Sequence, residues 1–101
     1  MMNDLISIRN KIESGLEGYD LEGKCISITV GRGSFYAELK VMLHDLRENT
    51  YTSYTLSTHP ELSRILTIRE DEETQSSELP FQVVLMELDN KLREWGVKYG
   101  E

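Results

Sequence analysis

At 101 residues, with 39% hydrophobic and 29% charged residues and a net charge of −7, the chain has the composition of one folded acidic domain. The basic footprint that phosphate backbones demand is missing, which argues against direct nucleic-acid binding, and no apolar run approaches the ~20 residues of a membrane span. The lone Cys25 excludes an intrachain disulfide; with no basic-then-apolar leader after Met1-Met2-Asn3-Asp4, the expectation is a cytoplasmic protein.

Residues 3–14 read as a short helix. Leu5, Ile8 and Ile12, continued by Leu16, fall on one stripe, with Asn3 or Asp4 as the cap and Gly15 as the stop. Leu16-Glu17-Gly18 then recurs as Leu21-Glu22-Gly23. That period is too short for a solenoid and reads as two consecutive turns.

The organising stretch is 24–44. Ile26, Ile28 and Val30 alternate with polar residues, and after Gly31-Arg32-Gly33-Ser34 so do Phe35, Ala37, Leu39, Val41 and Leu43. Period-2 runs around a short glycine-containing link predict an antiparallel hairpin. Residues 37–49 are also rich in helix formers, and Phe35, Leu39, Met42 and Leu46 fit a helical stripe. The five alternating apolar positions favour the strand.

Residues 50–57 form a third strand with Thr52, Tyr54 and Leu56 on one face, and the turn at Thr58-His59-Pro60-Glu61 leads into a fourth. In that fourth strand, 64–69, Leu66 and Ile68 face one side and Ile65 the other. Residues 70–78 contain no apolar residue and read as a mobile acidic loop. Beyond it Phe81, Val84, Leu85, Leu88, Leu92 and Trp95 make the best helical stripe in the chain. Ser76 or Ser77 is its expected cap and Gly96 its left-handed terminus; Val97 and Tyr99 are free to fold back on the core.

The expected architecture is one α+β domain over residues 1–101: a four-stranded antiparallel meander flanked by N- and C-terminal helices, α-β-β-β-β-α. The alternative, with 34–48 helical, is α-β-α-β-β-α. The sheet face carrying Tyr36, Glu38, Lys40, Met42 and His44 is mixed in character and available for a homodimer.

No catalytic, metal or cofactor site is expected. His44 and His59 have no second ligand at zinc spacing, and the carboxylates cluster without apolar support. Cys25 and His44, on neighbouring strands, allow a thiolate–imidazolium couple, the weakest of the readings. Charge distribution says more. Residues 70–78 carry −5 of the net −7, through Glu70, Asp71, Glu72, Glu73 and Glu78. The expected function is therefore a non-catalytic interaction protein in which Glu70, Asp71, Glu72 and Glu73 contact a basic partner protein. Small acidic inhibitors, immunity proteins, antitoxins and phage-encoded regulators share that size and charge, an analogy only. The alternative is an anion- or small-ligand-binding domain using Arg32, Gly33 and Ser34 in the hairpin loop.

Overall fold

The computed structural model describes residues 2–19, 22–59, 62–69 and 75–97. Two helices, α1 (Met2–Leu16) and α2 (Phe81–Glu94), bracket five strands: β1 (Lys24–Arg32), β2 (Ala37–Asp45), β3 (Thr50–Ser57), β4 (Arg64–Arg69) and β5 (Gln75–Glu78). The strands form one antiparallel sheet in chain order, with every neighbour adjacent in sequence. The fold is α+β. Both helices share one face of the sheet, α1 over β1 and β2, α2 over β3 and β4.

Residues 37–45 are strand, so the arrangement with 34–48 helical is overturned. The reason is visible in the register. Leu39, Val41 and Leu43 pair with Val30, Ile28 and Ile26 on one side, and with Leu56, Tyr54 and Thr52 on the other. As an interior strand, β2 buries Ala37, Leu39, Val41 and Leu43 at once, which a helix at this place would not do. The loop is shifted by two residues: β1 runs on to Arg32, and the turn is Gly33 to Tyr36. Phe35, expected on the core side of a strand, therefore sits at the turn, 97% exposed.

A fifth strand replaces part of the expected acidic loop. Gln75–Glu78 lies along β4, with Glu78 opposite Arg64 and Ser76 opposite Leu66. Its side chains are polar because this is the sheet edge, where backbone pairing and one opposite-charge cross-strand pair suffice. Ser76 and Ser77 are thus strand residues, and α2 starts after Pro80 with no side-chain cap. The Pro80 carbonyl instead accepts from Val83 and Val84 amides.

The helix ends follow local chemistry. Helix α1 begins at Met2, which puts Asn3 and Asp4 inside its first turn; it continues through Gly15 to Leu16 and breaks at Gly18, φ +70°. Helix α2 closes as expected: Gly96 has φ +82°, its amide donates to Arg93, and the Val97 amide donates to Leu92. That is the paired C-terminal bonding of a Schellman cap, with Val97 2% exposed against the buried Leu92. Tyr99 lies outside the described residues.

One core unites the layers. Leu5 and Ile12 from α1, Leu39, Val41, Leu43 and Leu56 from the sheet, and Val84, Leu88 and Leu92 from α2 are all buried to within 1%. The slab is 20 Å along its shortest axis, one sheet and one helix layer thick. The opposite sheet face carries no helix among the described residues.

Candidate functional site

The helix layer does not close over the whole covered face. Toward the β2–β3 turn, a cleft of about 300 Å³ opens between α2 and the ends of β3 and β4. The register explains why. Core-facing positions here are Thr50, Thr52 and Tyr54 on β3, and Ile65, Thr67 and Arg69 on β4, with Thr52 opposite Thr67 and Thr50 opposite Arg69. Hydroxyls and a guanidinium stand where Val or Ile would have drawn the helix down onto the sheet. From α2, Glu87, Lys91 and Trp95 line the other wall at successive helical turns, and Asp45 and Glu48 close the end.

Each wall is fixed. Trp95 is 8% exposed; the Tyr19 hydroxyl donates to its carbonyl, and the Lys24 ammonium lies 5.2 Å from its ring centroid. The Asp45 carboxylate accepts from the Arg47 and Glu48 amides at 3.0 and 3.1 Å, an Asx turn that Asn49 completes with φ 54°. Lys91 turns toward Glu94 at 3.6 Å. On the floor, Tyr54 is 5% exposed, and its hydroxyl has no hydrogen-bond partner among the described residues. Burial, reinforced by the charges of Glu87 and then Glu94, pushes the Tyr54 phenol up from its ordinary 10 to about 12. It stays neutral at ordinary pH.

The helix-free face differs. Central-strand residues Ser53, Thr55 and Ser57 are buried there, although no helix covers them. Their neighbours on β2 and β4 are longer: Met42 and Leu66 flank Ser53, and Lys40 and Arg64 flank Thr55. A shallow groove of about 250 Å³ results, with Glu38, Lys40 and Arg64 on its rim. Tyr36, Glu38, Lys40, Met42 and His44 lie on this face, as the alternation predicts.

The residues singled out from sequence have the following places. Glu70, Asp71, Glu72 and Glu73 lie outside the described residues, directly after Arg69 in the chain. Arg32 is the last residue of β1 and is exposed, as is Ser34. The Gly33 amide donates to the Tyr36 carbonyl at 2.7 Å, and a β-carbon on Gly33 would collide with the Tyr36 ring. This amide is committed within the turn and roofed by an aromatic ring, leaving little of a backbone cradle for an anion. Cys25 and His44 are register partners across β1 and β2. The His44 ring is edge-on to Tyr51 at 5.9 Å, and the neighbouring Asp45 carboxylate serves the turn, not the imidazole. No group of three or more metal-ligating side chains occurs among the described residues, and no described helix is long and apolar enough to cross a membrane.

Sequence reading missed the cleft. Its signal was present: Thr50 and Thr52 occupy the same alternation as Tyr54 and Leu56, so polar side chains were due on the core face. The partner elements, Glu87 on α2 and Thr67 on β4, could not be set against them without the packing of α2 on β3. Comparison with protein-family models, characterised proteins and solved structures finds no match to this chain.

Proposed function

We propose that this is a non-catalytic, cytoplasmic interaction protein whose acidic surface engages a basic partner protein, in the manner of a small inhibitor, immunity protein, antitoxin or phage-encoded regulator. The observation that carries the reading is the concentration of charge: −5 of the net −7 falls within residues 70–78. Glu70, Asp71, Glu72 and Glu73 are the contact charges. They follow directly on β4, whose last residue, Arg69, lines the cleft that also holds Asp45, Glu48 and Glu87. Asp45, Glu48 and Glu87 add negative charge at the cleft itself. Such a surface accelerates encounter with a positive partner and rejects negative ones.

Pull-down of the native protein followed by mass spectrometry tests the reading, with association kinetics measured on whatever partner is recovered. Replacing Glu70, Asp71, Glu72 and Glu73 by their amides is expected to slow association and flatten its salt dependence. A recovered partner that is acidic, or association unaffected by those substitutions, would overturn it.

A further inference from the structure

We propose that the cleft between α2 and the ends of β3 and β4 receives a single arginine side chain of the basic partner, held by Glu87 and by the hydroxyls of Tyr54, Thr52 and Thr67. This rests on the partner reading above and names the contact at its centre. Size comes first. About 300 Å³ is the bottom of the range for small-molecule pockets, roughly 300–1,000 Å³; it accommodates one extended side chain and not a nucleotide or a large cofactor.

Chemistry comes second. The floor offers hydroxyl acceptors and the rim offers carboxylates, which suits a ligand that only donates; guanidinium presents five N–H donors and no acceptor. Tyr54 supplies the observation independent of charge. Its side chain is nine-tenths buried and lines the cleft, and its hydroxyl bonds no group among the described residues.

Two cations share the lining with the carboxylates of Asp45, Glu48 and Glu87: Lys91, which is turned to Glu94 at 3.6 Å, and Arg69, which is exposed at the end of β4. After burial, the charges of Glu87 and Glu94 both act on the Tyr54 phenol to raise its pKa.

Titration of the full chain with N-acetyl-arginine methylamide, followed by two-dimensional NMR, tests the assignment. Saturable shifts confined to Thr52, Tyr54, Thr67 and the Glu87–Lys91 turn are expected. Matching titrations with the N-acetyl methylamides of leucine and glutamate should leave those resonances unmoved. Glu87 is exposed, so Glu87→Gln keeps the fold; it should weaken arginine binding about fivefold while leaving the remaining spectrum unchanged. Tyr54→Phe should weaken it as well. Shifts spread over the whole surface, equal shifts with the leucine or glutamate probe, or unchanged affinity in Glu87→Gln would each overturn the inference. A partner whose affinity falls when Glu70 to Glu73 are neutralised but not in Glu87→Gln also sinks it, while leaving the acidic-surface reading standing. Arginine binding in the cleft without any basic partner recovered would do the reverse.

Discussion

The two halves of the covered sheet face are built to opposite specifications. Under α1, strands β1 and β2 present Ile26, Ile28, Val30, Leu39, Val41 and Leu43 to Leu5 and Ile12, an aliphatic contact. Under the far end of α2, β3 and β4 present Thr50, Thr52, Tyr54 and Thr67, and a cleft remains. The same helix-on-sheet packing thus closes where both surfaces are aliphatic and stays open where hydroxyls line one of them. Hydroxyl-bearing strand residues are isosteric enough to keep the strand but too costly to bury dry without a partner. One half is closed by aliphatic packing; the other keeps an open, polar-lined cleft.

The largest expected effect breaks the aliphatic half. Leu39→Ala should cost about 3–4 kcal/mol in chemical denaturation, since a fully buried leucine leaves a cavity among rigid neighbours. A loss below ~1 kcal/mol would mean that this half is as loosely packed as the cleft.

Next comes the pH dependence of the open half. The folded Tyr54 phenol titrates near 12 and the unfolded one near 10, so below pH 10 both states hold the proton and the full stability is present. As pH rises from 10 to 12 the unfolded state loses its proton first, and stability on the order of 1–2 kcal/mol should be lost across that window. Denaturation of wild type against Tyr54→Phe over pH 9–12 isolates the contribution; identical pH profiles would dismiss it. Ultraviolet titration of Glu87→Gln should find the phenol shifted back down, because one of the charges that raises it is gone.

Smaller still is Gly96→Ala, expected to cost about 1 kcal/mol. An alanine at φ +82° is strained, although its β-carbon would meet only the Tyr19 ring edge and hydroxyl at ordinary contact distances. Smallest are Tyr54→Phe below pH 9 and Phe35→Ser, each within about 0.5 kcal/mol by thermal melting. The first deletes a hydroxyl that bonds nothing among the described residues, and the second a side chain that is 97% exposed. A large destabilisation by Tyr54→Phe would show that its hydroxyl is structural and the cleft no recognition site.

Wherever one side chain's character decides its place, the amino-acid order was sufficient. Alternation from Ile26 to Leu43 specified the hairpin; the stripe from Phe81 to Trp95 specified α2, and Gly96 its left-handed end. Those signals are local, carried by periodicities of 2 and 3.6 residues or by a single left-handed glycine. Strand β5 has no such pattern; it exists because β4 offers an open edge, and edge pairing is written in the backbone of the neighbour. The cleft likewise depends on long-range placement. Glu87 and Thr52 are 35 residues apart, and only the seating of α2 on β3 and β4 makes them walls of one space.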